Sequence, residues 1–336
     1  MGTGAVGAPT WAAKERVARL ARFRAGHSGG NVAIALGVEG GGTKTEAAVV
    51  DTELGVLGLG SGGPVNTVFV RRSSAVAAVA KAVRQAVRAA RVSAVDVLAL
   101  ALLCPKEPAV DAVRSVVPCA QVVLCDEAQV AFARAGLMQP YGVAVVAGTG
   151  CTTFGYGRNG ARCTVGGWGA LLGDEGSAFD LALRGLKAAI RASDGRGSAT
   201  QLVERALEHF QIQGLWGLVR VCYRNPMPRH QIASFAVEVS AAAAEGDGVA
   251  QLLLAEVSQS LTADVLYVAG RLFTAEDAFP VVLSGGVFRA GEPVVAPLKS
   301  AATAAYSHAD VVVGDMPPGE AVARLGLRAL GCDAAG

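Results

Sequence analysis

Aromatic side chains are scarce in this 336-residue chain, at 5%, and charged ones make up only 17%. With few rings to stack bases on, no recurring Lys/Arg cluster and a formal charge of only +2, nucleic-acid binding lacks its footprint. Cysteine is odd in number (7), and the positions 104, 119, 125, 151, 163, 222 and 332 contain no C-x-x-C pair. Neither a disulfide framework nor a zinc site is written there, and the thiols read as reduced in a cytosol-like compartment. The longest apolar run, VLALALLC at 97–104, falls well short of the ~18 residues that a membrane helix needs. No G-x-S-x-G elbow marks a hydrolase. The four histidines, His27, His209, His230 and His308, are too scattered for a metal motif.

What is abundant is apolar and small: 52% hydrophobic residues and 43 glycines. That composition gives real cores with close backbone packing, and the length suits about two domains of roughly 150 residues each. Residues 1–32 stand apart, with Lys14, Arg16, Arg19, Arg22 and Arg24 against Glu15, and Trp11, Val17, Leu20 and Phe23 at helical spacing. Two readings stand for them: an amphipathic extension, or an organelle-targeting segment on an otherwise cytoplasmic protein. The expected division is 33–138 as a first α/β domain and 139–332 as a second one with a helical insertion.

Periodicity orders the elements. Strands are expected at 31–39, 45–51 and 55–63 as a meander, followed by an amphipathic helix capped by Ser73 or Ser74. VDVLALALL and AQVVLCD read as buried strands, EAQVAFARAGL as a helix. YGVAVVAGTGCTTFGYGRNG at 141–160 then repeats the opening pattern of strand, glycine turn and strand. Helices dominate 176–273, FPVVLSGGV is the last expected strand, and a helix near PPGEAVARLGLRAL closes the chain. Trp216 reads as core. Two similar openings imply two related α/β halves.

The first opening, GVEGGGTKTEAAVVD at 37–51, sets rival phosphate loops against one another. Consecutive glycines let backbone N–H groups point into one concavity, a nest for phosphate oxygens. A Walker A loop fails because Thr43 intervenes before Lys44. A dinucleotide fingerprint fails because TKTEAAVVD alternates as a strand, where a helix would be required. What remains is a β-hairpin turn gripping a phosphate, with AGTGCTT as its counterpart; a single glycine hairpin could equally be turn geometry alone. A nucleotide would then lie in the cleft between the halves.

GVEGGGTKTEAAVVD, VVAGTGC, GGWGALLGDEGSAFDLA and LSGGVF, in this order, resemble the N-acetylglucosamine kinases and the related BadF/BadG/BcrA/BcrD ATPases. These are members of the sugar kinase, heat-shock ATPase and actin superfamily. The resemblance implies two ribonuclease H-like α/β domains around an interdomain nucleotide cleft, with ATP and Mg²⁺ as cofactors and an amino sugar as substrate. N-acetylglucosamine is the expected substrate and its 6-phosphate the product. It also makes a homodimer an expectation. Two other readings stay open: an ATPase without a sugar substrate, and a non-catalytic binding relative.

Asp126 ends a strand and precedes a helix, a position suited equally to a helix cap and to a carboxylate facing the ligand crevice. The resemblance assigns it the general base, with Cys125 where relatives carry Asn. Asp174 is implied to bind sugar hydroxyls beside the Gly167, Trp168 and Gly169 backbone; as a bare residue it, or Glu175, would cap the next helix. Asn66 is implied to contact sugar, although Asn there also suits a turn. Cys151 and Thr152 replace a Ser-Asn pair that contacts sugar, and Lys106 replaces an acid; these substitutions leave specificity or catalysis open. The resemblance further implies that Gly41, Gly42, Thr43, Lys44, Thr45, Gly148, Thr149 and Gly150 line the phosphates, although Lys44 also suits an exposed hairpin. It implies an adenosine-side turn at Ser284, Gly285 and Gly286, and a Glu39 that orients Mg²⁺ through water.

Overall fold

The computed structural model of the protein describes residues 32–223 and 229–332. The readings made for residues 1–32 therefore fall outside it, apart from Val32. In the first half β1 (Ile34–Gly40), β2 (Thr45–Asp51) and β3 (Gly55–Gly62) form an antiparallel meander. The strands β4 (Val95–Leu102) and β5 (Cys119–Leu124) join in parallel to complete the order β3-β2-β1-β4-β5. In the second half β6 (Gly142–Ala147), β7 (Cys151–Tyr156) and β8 (Arg162–Gly166) repeat the meander. Parallel β9 (Phe279–Ser284) and β10 (Ala309–Val313) complete β10-β9-β6-β7-β8. Counted from its own first strand, each half has the same ribonuclease H-like order, so the two similar openings were the mark of a repeated fold.

The glycine and alanine content has a concrete use at α1 (Arg72–Ala90). Gly58, Gly60 and Gly62 all point at this helix from β3, and a Cβ at Gly60 would stand 1.9 Å from Ala82 O. Ala78, Ala82, Ala86 and Ala90 recur every fourth residue, one face of a helix, so two bare backbones meet. Neither Ser73 nor Ser74 caps α1. Arg71 is the cap residue, without a side-chain bond, because the first helical bond already runs from Ala75 N to Arg71 O at 3.0 Å.

Several elements escaped the sequence pattern, β8 among them. Another is α2 (Lys106–Arg114), whose Pro108 sits in the first turn where its missing N–H costs nothing; a third is β10, a five-residue edge strand. β5 is not buried as expected: it lies at the sheet edge, and Leu124 is exposed. Trp216 is also exposed, at 86%, which removes it from the core. The insertion comprises α4 (Ala178–Ser193), α5 (Leu202–Phe210), α6 (Gly217–Cys222), α7 (Arg229–Ala233), α8 (Ala236–Ala244) and α9 (Gly248–Leu272). By length and composition alone α9 could span a bilayer. Here it buries Leu254, Val257, Leu261, Val265 and Val268 in the core of the second half.

After β9 come a 3₁₀ turn, Gly286–Ala290, and α10 (Glu292–Ala305). Two remaining helices cross between the sheets. α11 (Pro318–Ala329) packs on β1, β2 and β4 of the first sheet. α3 (Glu127–Arg134) follows β5 of the first half, yet Ala131 and Phe132 pack against Ala144 and Val282 of the second sheet. The two helices also pack on each other. Close approach is again by glycine: a Cβ at Gly37 would stand 2.1 Å from Ala323 N and 2.3 Å from Gly319 O.

Candidate active site between the two sheets

The β1–β2 turn, Gly41 to Lys44, is closed by Gly41 N donating to Lys44 O at 3.1 Å. The β6–β7 turn, Gly148 to Gly150, is closed by Gly148 N donating to Gly150 O at 2.9 Å. The turns face each other, with Thr43 Oγ1 2.5 Å from Thr149 Oγ1. No Cβ would obstruct Gly42 or Gly148, whose surroundings are open. Two bare turns from matching places in two matching sheets thus form a concavity lined by main-chain amides, suited to an anion.

Not every residue expected beside that anion reaches it. Thr45 is fully buried, and its hydroxyl donates to Gly63 O at 2.7 Å. As the first residue of β2 it points inward by strand alternation and anchors the turn from behind. Lys44 is exposed and forms an ion pair with Glu46. Ser284 is likewise buried, its Oγ accepting from Arg134 Nη1 at 2.7 Å. Gly285 and Gly286 carry the turn alone: Gly285 has φ +120°, and a Cβ there would stand 2.2 Å from Ala147 O. Arg134, which the sequence reading missed, also donates from Nε to Met316 O at 2.8 Å, joining α3 to the segment before α11.

Asp126 holds both positions considered for it. It caps α3, with Oδ1 accepting from Gln129 N at 2.7 Å while Gln129 Oε1 accepts from Asp126 N at 2.8 Å. Its Oδ2 is 3.4 Å from the Tyr156 hydroxyl, and the carboxylate remains exposed to solvent. Tyr156 is braced edge-on by Phe132, with Arg162 4.9 Å over its ring. Beside it Glu127, also missed and exposed at its surface, has its carboxyl pushed up by desolvation, then by Asp174 and Asp126.

Asp174 caps no helix, and neither does Glu175. Ser177 caps α4, its Oγ accepting from Asp180 N at 3.1 Å. Asp174 is instead 4% exposed in a left-handed conformation, φ +63°. Its Oδ1 accepts from Cys151 N at 3.3 Å, and its Oδ2 accepts from Arg229 Nη2 at 2.8 Å. Cys151 therefore contributes its N–H; its side chain is turned into the core and burial pushes the thiol strongly upward. The replaced serine hydroxyl at 151 thus has no place in a pocket, because the side chain faces the wrong side of β7. Thr152 faces the other side and lies against Gly167. Gly167 N donates to Cys151 O at 2.8 Å, while Gly167 and Gly169 take positive φ, leaving Trp168 exposed between them.

Asn66 forms the turn expected of an isolated Asn, its Oδ1 accepting from Val68 N at 3.1 Å. Its backbone N also donates to Gly41 O at 3.2 Å, which fixes it to the first phosphate-sized turn. Lys106 donates to Leu102 O at the start of α2, a local tie that leaves β4's end in place. Glu39 stands at the end of β1, its carboxyl pushed up to about 8 by burial, then by Glu46 and Glu127. Arg134 and Lys44 offset this only in part, and a nearby cation would draw the carboxyl back toward its ionised form. Among the described residues no group of three acidic, His or Cys side chains forms a cage.

Two halves of the same strand order with opposed glycine turns define a nucleotide-binding class of α/β fold. Within that class the match is narrower: residues 36–316 fit the BadF/BadG/BcrA/BcrD ATPase family, and the chain belongs to it. It is 30% identical over 177 residues to the N-acetylmuramic acid/N-acetylglucosamine kinase of Clostridium acetobutylicum, covering 53% of this chain and 58% of that one. The N-acetyl-D-glucosamine kinase of Dictyostelium discoideum is 27% identical over 273 residues, 75% of this chain and 85% of that one. The match thus spans little more than half of the Clostridium relative. Among solved structures, a candidate N-acetylglucosamine kinase from Chromobacterium violaceum superposes with TM-score 0.67 at 24% identity, covering 88% of this chain and 99% of that one.

Proposed function

We propose that the protein phosphorylates an amino sugar with ATP, N-acetylglucosamine being the substrate and N-acetylglucosamine 6-phosphate the product. The observation that carries this reading is the meeting of the Thr43 and Thr149 turns at 2.5 Å, with Asp126 at the head of the helix that crosses between the sheets. Kinship with the two curated N-acetylglucosamine kinases supports the choice of sugar.

In this mechanism the amides of Gly42 and Gly150 and the two threonine hydroxyls hold the ATP phosphates, and Gly285 and Gly286 border the adenosine. Asn66, Asp174, Thr152 and the Gly167–Gly169 backbone hold the sugar. Asp126 accepts the proton of the attacking hydroxyl as its oxygen bonds to the γ-phosphorus and ADP departs; such positioned bases contribute about 10²–10⁴ in rate. Glu39 would hold Mg²⁺ through water, and the ion supplies neutralisation of phosphate charge. Closure of the halves excludes water that would otherwise take the phosphoryl group.

The test is coupled ADP release across a panel of hexoses and amino sugars. Release that requires N-acetylglucosamine supports the proposal. Release without any sugar, or none with every sugar, rejects it.

A further inference from the structure

Arg229 opens α7 and sits beside the proposed sugar site without having been expected there. Its Nη2 donates to Asp174 Oδ2 at 2.8 Å, and the paired side chains are 14% and 5% exposed. Its Cζ lies 4.6 Å from the centroid of Phe69 and 5.5 Å from that of Phe179. The second contact is within its own half, since Phe179 lies in the first turn of α4. The first crosses the cleft. Phe69 N donates to Asn66 O at 2.9 Å, so the ring belongs to the turn that carries Asn66.

One guanidinium therefore touches Asp174 of the second half and the Asn66 turn of the first. We infer that Arg229 is a positioning residue of the sugar site, fixing the Asp174 carboxylate and holding it in register with Asn66 across the cleft. Two donors, one of them cationic, fix a carboxylate as buried as Asp174 in one orientation. Its positive φ is kept only where the surroundings over-determine it. Cys151 N and Arg229 Nη2 take one oxygen each, which fixes the orientation of the group. Nε of Arg229 is buried with no acceptor, so the planar fork is half used. It is also sealed from solvent, which argues for a role toward Asp174 and against direct contact of Nε with substrate. Stacking over a ring and pairing sideways with a carboxylate are guanidinium properties that an ammonium lacks.

The inference rests on the proposed sugar site, and the experiment separates the two. Initial rates are measured with N-acetylglucosamine and ATP varied in turn for the wild type, Arg229→Gln, Arg229→Lys, Phe69→Leu, Asp174→Asn and Arg229→Gln/Asp174→Asn. Expected are a sugar KM raised at least about tenfold in Arg229→Gln with the ATP KM within about twofold, and partial recovery in Arg229→Lys. Phe69→Leu, which keeps apolar bulk on a partly exposed residue, raises the sugar KM severalfold. The double variant is expected to lose no more than Asp174→Asn alone, because both changes remove one unit. A sugar KM unchanged in Arg229→Gln, equal rises in both KM values, or additive losses in the double variant overturn the inference while leaving the kinase reading intact. A wild type inactive on every amino sugar overturns both. If Arg229→Gln melts below the assay temperature, Arg229→Lys and Phe69→Leu decide by the same KM split.

Discussion

Replacing Asp126 with Asn separates the two positions that this residue holds. The Asp126 side chain accepts from Gln129 N at 2.7 Å, and an Asn oxygen can do the same. Asn and Asp are nearly equal as helix caps, and the lost charge at the head of α3 removes about 0.3–1 kcal/mol of dipole interaction. Stability should thus fall by no more than about 1 kcal/mol. The amide cannot take up a proton at neutral pH, so kcat should drop about 10²–10⁴-fold, equivalent to roughly 3–5 kcal/mol in the barrier. Asp126→Ala should lose the same activity and a further ~1 kcal/mol of stability, because the cap is gone as well. Coupled ADP release, nucleotide titration and urea melts on both variants provide the readout. Asp126→Asn turning over at near wild-type rate, or a rate loss that appears only in the destabilised Ala variant, would refute the assignment.

Three more outcomes follow from the structure. Gly37→Ala should cost at least ~2 kcal/mol in urea melts, because its Cβ would meet α11 backbone at 2.1 Å, whereas Gly42→Ala, with open space around it, should cost far less. Burial, reinforced by Glu175, raises the Asp264 carboxyl from 3.8 to about 6. The unfolded chain then releases this proton before the folded one, so stability falls as pH rises from about 4 through 6. Asp264→Asn should therefore add about 1–2 kcal/mol above pH 6, after allowance for partial solvent exposure, and nothing below pH 4; equal effects at both ends would contradict this. Glu39→Gln should raise the Mg²⁺ concentration for half-maximal rate by ~10-fold. The same variant should abolish the stability lost by the wild type as pH climbs from 4.5 through 8, measurable in melts without nucleotide.

The meander strands were legible because alternation and glycine turns are local: the expected span 45–51 coincides with β2. The duplication was legible for the same reason, since both openings share strand, turn and strand. β10 was not, being five residues long at a sheet edge, where burial imposes little pattern. Asp126, Asp174 and the two turns could be proposed from residue type and order, but their partners could not. Arg229 lies 55 positions from Asp174, Arg134 lies 150 from Ser284, and neither pair has a periodic signature. The side chains of Thr45, Ser284 and Cys151 turn to the inner face of their strands, away from the cleft. A motif names the residue, but only the fold decides which side chains turn toward the cleft.

The crossing of α3 and α11 bears on how the chain is made. The sheet synthesised first stays uncovered on one side until residues 318–329 have left the ribosome. A nascent chain of this protein must therefore wait with an open apolar face, and a stop codon shortly before position 318 should leave a full set of strands that aggregates. Splitting the gene between the halves should fail when either fragment is expressed alone and succeed on co-expression, each fragment supplying the other's missing cover.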